Sequence, residues 1–188
     1  MENVNINNCN YNCSGIFVEK GSIKLNNCSF ENNNLATVIT IQNSTEDNII
    51  NNCKFVSNDN SNTVGNYDLY ITTANKFTIS STNFEEKQNV INVKVQKCDE
   101  LVLQGDVEIP LLHFMNINKS DDLNINVNEF GTNGSVKIKM TNYEEDYDLQ
   151  LITVDEGCFV PEGITLDNSN YKLNEKGKVV RENGIVAG

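Results

Sequence analysis

The chain has 188 residues, enough for one domain with a core or for one elongated repeat array. Its 26 acidic residues outnumber 14 basic ones, for a net charge of −12. Such a surface repels phosphate backbones and anionic lipid, so it argues against nucleic-acid binding and electrostatic membrane docking. Asparagine is the compositional outlier, with 34 copies against 2 Pro and 11 Gly. Asn tolerates left-handed backbone and bonds its own neighbours, so it favours tight bends. With 38% hydrophobic residues, many β-branched and regularly placed, the chain is not expected to be disordered.

The N-terminal MENVNINNCN has neither a basic start nor an apolar stretch, so no secretory signal is visible. No run approaches the roughly 20 apolar residues of a membrane span. A repeat is already under way at residue 4, which predicts a segment of a longer chain, with flanking regions on either side. The triplet Asn-Asn-Cys occurs three times, at 7–9, 26–28 and 51–53. An aromatic follows two residues after each cysteine: Tyr11, Phe30 and Phe55. Two apolar slots precede the triplet, filled by Val4 and Ile6, by Ile23 and Leu25, and by Asn48 and Ile50. The same frame places Phe77, Ile79, Thr82 and Phe84 in its four slots, and fits more loosely at Leu101 and Leu103, Leu123 and Ile125, and Leu149 and Leu151. The starts at 4, 23, 48, 77, 101, 123 and 149 are separated by 19, 25, 29, 24, 22 and 26 residues, a period typical of solenoids.

A second apolar strand lies between successive starts, at 16–18, 35–41, 68–71, 90–95, 111–117 and 135–140. Alternation has period two throughout and never settles into a helical 3.6. Each coil therefore reads strand, Asn bend, short strand, polar loop, strand, polar loop. The predicted fold is all-β: a single-stranded right-handed parallel β-helix of about seven coils over residues 1–160, on the order of 34 Å long. On this reading the doubled Asn turns the corner and stacks its amides along the rod. Cys9, Cys28 and Cys53 then point inward, and Tyr11, Phe30, Phe55 and Phe84 form an inward ladder. Residues 161–188, with Gly-containing turns at Glu162-Gly163 and Lys176-Gly177, are predicted to form a capping hairpin and tail over the open end of the stack.

Asn-Cys-x-Phe-x-x-Asn stands twice, from Asn27 through Asn33 and from Asn52 through Asn58. On these residues the chain resembles the Phe-x-x-Asn repeats of polymorphic outer-membrane proteins and similar surface proteins, well over residues 4–60 and loosely over 77–160. The Gly-Gly-Ala-Ile tetrapeptide usual in that family is absent. The resemblance implies a secreted or surface-displayed, adhesin-like rod outside the cell, with a host-cell protein or glycan as partner.

Catalytic chemistry on a β-helix, as in polysaccharide lyases and glycosidases, needs Asp clusters beside Arg, Lys or His. This chain has one Arg, Arg181 in the predicted cap, and one His, His113, in an apolar strand where a structural role is expected. Asp121-Asp122 is the only Asp-Asp pair and falls in a loop. The expectation is a non-catalytic module with no cofactor, and with no catalytic, cofactor-binding or metal residue to name. The alternatives are a polysaccharide-acting enzyme and an inert spacer of a larger surface protein. The six cysteines, at 9, 13, 28, 53, 98 and 158, suit buried thiols or disulfides better than zinc, because only Cys9 and Cys13 are closely spaced. Acidic pairs recur before new coils at Glu46-Asp47, Asp99-Glu100, Asp121-Asp122 and Glu144-Glu145-Asp146 with Asp148. They are expected either to form a solvated rim or to align as an edge that weakly binds Ca²⁺. The longest loop, 56–66, is the expected contact surface.

Overall fold

A computed structural model describes residues 1–58, 67–87, 91–114, 124–126, 136–141, 152–153, 164–166, 171–175 and 178–181. The protein is all-β, with no helix among the described residues. Strands stack coil on coil, and among the described residues every pairing is parallel except one C-terminal hairpin. The curled, repeat-like stack is compatible with a parallel β-helix.

Three columns of strands make up each coil. The first flank runs Asn5–Asn7, Ser29–Glu31, Lys54–Val56 and Asn83–Phe84. The second runs Asn10–Val18, Asn34–Ile41, Tyr67–Ile71 and Ile91–Val95. Both belong to one eleven-stranded sheet, because Val107–Phe114 pairs with the first flank at Glu108 and with the second at Leu112. The third column is a separate six-stranded sheet: Lys24–Asn26, Ser44–Asn51, Ala74–Ser80, Cys98–Gln104, Asn124–Asn126 and Ile152–Thr153.

The third column follows the sequence frame closely. Leu25, Ile50, Ile79 and Leu103 are in register, as are Phe77 and Leu101. Asn48 takes the slot of Phe77 and is fully buried. Its amide donates to Ser44 Oγ (2.8 Å), Glu46 O and Lys76 O, and its oxygen accepts from the Ile23 N–H (3.1 Å). A polar side chain survives in the core because every one of its groups has a partner. Two later frames are displaced. Ile125, not Leu123, aligns with Leu101, and Ile152 aligns with Ile125, so the frame starting at Leu149 is out of register. Phe77, Leu101 and Ile125 are evenly spaced along the chain, so the frame at Leu123 starts two residues early, and only the step to Ile152 is longer.

The first Asn-Asn-Cys is also out of phase with the other two. Ile6, not Tyr11, stacks under Phe30, Phe55 and Phe84, and Val4 precedes Cys28 and Cys53 in the thiol column. Cys9 stands at the next corner, where its N–H donates to Asn33 Oδ1 (3.0 Å). Tyr11 pairs with Leu35 on the second flank. The physical reason is that two corners of each coil need the same left-handed backbone. Asn3, Asn27, Asn52, Ser81 and Gly105 occupy one, with φ of 55°, 54°, 49°, 43° and 69°. Asn8, Asn32 and Ser57 occupy the other, with φ of 57°, 56° and 50°. Asn suits either corner, so an Asn-Asn pair alone does not say which corner it turns. The expected amide stacking is present, with Asn51 Nδ2 donating to Asn26 Oδ1 (2.7 Å) and Asn52 Nδ2 to Asn27 Oδ1 (2.6 Å).

The core is a set of such columns. Phe30 stacks on Phe55 with centroids 4.8 Å apart, and Phe55 on Phe84 at 4.5 Å, with rings within 12° of parallel. That spacing is the strand separation itself, so the sheet sets the ring contact. At the C-terminal end Ile164–Leu166 still pairs in parallel with Val136–Thr141. Tyr171–Leu173 and Val179–Arg181 then form the antiparallel hairpin, and Leu173 packs against the core. The turn at Glu162-Gly163 and that at Lys176-Gly177 lie outside the described residues or reach into them only at their edges.

Candidate functional site

Ile39, Leu69 and Val93 of the second flank are fully buried, and Val38, Asp68 and Asn92 just before them are buried too, so strict alternation breaks here. Two columns flank this inward pair, and in them Tyr67, Tyr70, Ile91, Lys94 and His113 keep part of their surface exposed. One holds Ser14, Thr37, Tyr67 and Ile91. The other holds Phe17, Thr40, Tyr70, Lys94 and His113. Neither contains a carboxylate, although the chain carries 26 acidic residues. This is a polar and aromatic face on an otherwise acidic molecule.

The centre of the face is built from three side chains. The Lys94 ammonium donates to Tyr67 Oη (2.6 Å) and lies 4.4 Å from the centre of the Tyr67 ring and 5.3 Å from that of Tyr70. The two rings are 5.4 Å apart and inclined at 46°. Tyr70 Oη donates to Gln96 Oε1 (3.0 Å), and Ser14 and Thr40 hydroxyls meet at 2.7 Å. Among the described residues, cation–π contact and a charged hydrogen bond fix Lys94 without an acid. Phe17, 55% exposed, extends the aromatic surface toward the first coil. His113 stands one rung beyond Lys94, half-buried on this outward column rather than in the apolar interior. The repeat frame does not single out Tyr67, Tyr70 or Lys94, although Tyr70 and Lys94 alternate with the apolar residues of DLYI and INVKV, which is a usable signal.

Beneath the corner beside this face lies a buried polar ladder. Asn33 Nδ2 donates to Asn58 Oδ1 (2.9 Å) and to Ile6 O (2.8 Å). Asn58 Nδ2 donates to Phe30 O (2.9 Å) and to Asp68 Oδ1 (3.2 Å). Asn92 Nδ2 donates to Asp68 Oδ2 (3.0 Å) and to Glu85 O (2.9 Å). Burial pushes the Asp68 carboxyl up to about 6, with the Glu85 charge adding to the rise. The Lys87 charge and the Asn92 and Asn58 amides pull it partly back. A raised carboxyl is a common mark of an active site. Here both oxygens are engaged and the residue is 1% exposed, so it is a structural acid. Asn33 and Asn58 are the last residues of the two Phe-x-x-Asn motifs, and the ladder is what those positions do in this fold.

The other sequence candidates separate. Along the expected acidic edge, Lys76 stands between Asp47 and Glu100 and pairs with Glu100 at 3.2 Å. An interposed lysine relieves the repulsion that calcium was expected to relieve. Among the described residues no group of three or more His, Cys, Asp or Glu side chains could hold a metal. Asp121, Asp122, Glu144, Glu145, Asp146 and Asp148 lie outside them. Of the loop 56–66, only Val56, Ser57 and Asn58 are described, and Asn58 belongs to the buried ladder rather than to a contact surface. Cys28, Cys53 and Cys98 are buried free thiols, Cys9 is half-buried and Cys13 exposed. A shallow groove of about 530 Å³ on the outer side of the six-stranded sheet is lined by Asn26, Asn51, Ser80 and Gln104, whose column includes the Asn51–Asn26 amide bond.

No family model matches the chain, and no curated protein or solved structure matches it either.

Proposed function

We propose that this chain is a right-handed parallel β-helix acting as a non-catalytic, adhesin-like binding module displayed outside a cell. The second-flank face carries the reading. Among the described residues, Tyr67, Tyr70, Phe17 and Lys94 form an aromatic surface free of acids, with no packing role in the core. Rigid aromatic side chains held on strands lose little entropy on binding and suit contact with a sugar or a protein. A purely structural spacer needs no such face.

Binding of the purified chain to whole host cells tests the reading. A Phe17→Ala, Tyr70→Ala double variant is expected to lose binding while keeping its β-sheet circular dichroism. Replacement of residues 59–66 by a Gly-Ser loop is expected to leave binding intact. Retained binding in the double variant, or loss only with the loop, would move the contact away from this face. A chain that binds no cell type would leave the spacer reading in its place.

A further inference from the structure

We propose that the ligand of this face is a carboxylated sugar, its carboxylate taken by Lys94 and its ring seated against Tyr70. The proposal rests on the binding-module reading above and adds the chemical class of ligand. Lys54 and Lys76 each pair with an acid, Glu31 at 2.5 Å and Glu100 at 3.2 Å. Lys94 instead meets only a phenol oxygen and two ring faces, and no carboxylate among the described residues.

An ammonium has three donor protons, and Tyr67 accepts one of them. The lysine is half-buried, so a carboxylate reaching it forms a charge-assisted bond in a partly desolvated place. With a net charge of −12, most of the surface repels an anion, whereas the Phe17-to-His113 column does not contain one acid. Tyr70 and Gln96, linked at 3.0 Å, add hydroxyl and amide groups beside the ring for the sugar hydroxyls. Apolar ring face, polar edge and single cation together match a sugar acid better than a neutral sugar.

The test is titration of the purified chain with a sialylated trisaccharide and an oligo-uronate, each against its uncharged parent and against a sulfated sugar. Carboxylated sugars are expected to bind at least ten-fold tighter than their parents. Lys94→Gln is expected to abolish that preference, Lys94→Arg to restore much of it, and Tyr70→Ala to weaken both classes. Equal affinity for charged and parent sugars, tighter binding of the sulfated sugar, or a preference that survives Lys94→Gln overturns the proposal. Cell binding that persists while every carboxylated sugar fails overturns the sugar-acid proposal alone. Loss of cell binding as well overturns the binding-module reading beneath it.

Discussion

One oxygen of Asn58 accepts two protons from Asn33 in the preceding coil, from its backbone N–H at 3.2 Å and from its amide at 2.9 Å. The Asn58 amide in turn donates to Phe30 O and Asp68. Asn58→Ala strands all of these groups in a site 2% exposed. The expected loss is about 2–4 kcal/mol, read as a lower urea midpoint. Asn58→Asp keeps the accepting oxygens but sets a second carboxyl against Asp68, so its loss should deepen above neutral pH. An Asn58→Ala variant as stable as the parent would show that water fills the ladder.

Asp68 makes stability depend on pH in the less common direction. Its carboxyl is raised to about 6, so the folded chain holds this proton more tightly than the unfolded chain, whose value is 3.8. The stabilisation is therefore complete below about 3.8 and is lost as pH rises through about 6. It amounts to about 3 kcal/mol. Asp68→Asn cannot titrate and should flatten the fall in unfolding free energy between pH 4 and 7 by a similar amount. It also loses one accepted bond, from Asn58 or Asn92, which lowers its overall stability. An unchanged pH slope in the variant would place the titration elsewhere.

The phenyl column should tolerate aliphatic replacement better than truncation. Phe55 is fully buried between Phe30 and Phe84. Phe55→Ala opens a cavity in the middle of the stack and should cost about 3–5 kcal/mol. Phe55→Leu keeps most of the volume and loses the ring contacts, so about 1–2 kcal/mol is expected. The protein itself carries aliphatic residues in this column, with Ile6 before Phe30. Equal destabilisation by Leu and Ala would mean that the stacked rings, and not the filled volume, hold the coils together.

The stacked, parallel-stranded architecture was legible because a coil repeats its contacts. Phe30, Phe55, Phe77, Ile79 and Phe84 were assigned to their slots from the repeat alone, and the structure keeps them there. The phase of the first coil is not legible, because Asn-Asn serves two corners with nearly the same φ. The interval of 19 residues between the first two starts was the warning, since Val4 to Cys28 spans a normal coil. The outward face was not legible as a site. Tyr70 and Lys94 are far apart in sequence, and only the register brings them to adjacent rungs. The Asp68 ladder was equally hidden, because nothing in DLYI says that its first residue turns inward.

The cysteines should sort by coil position in their reactivity. Cys28 and Cys53 are 2% and 3% exposed in adjacent coils, and Cys98 is 3% exposed in the six-stranded sheet. Burial raises the Cys53 thiol above its ordinary value and pushes Cys98 up to about 12. At pH 8 a thiol with a value near 12 is ionised to about one part in ten thousand, and the thiolate is the reacting form. With Cys158 replaced by Ser, an aromatic disulfide reagent is expected to modify exposed Cys13 at the rate of a free thiol, and Cys9 more slowly. Cys28, Cys53 and Cys98 should react only in urea, together, at the midpoint of global unfolding. Independent early labelling of Cys28 would show instead that the first coils open on their own, before the stack behind them.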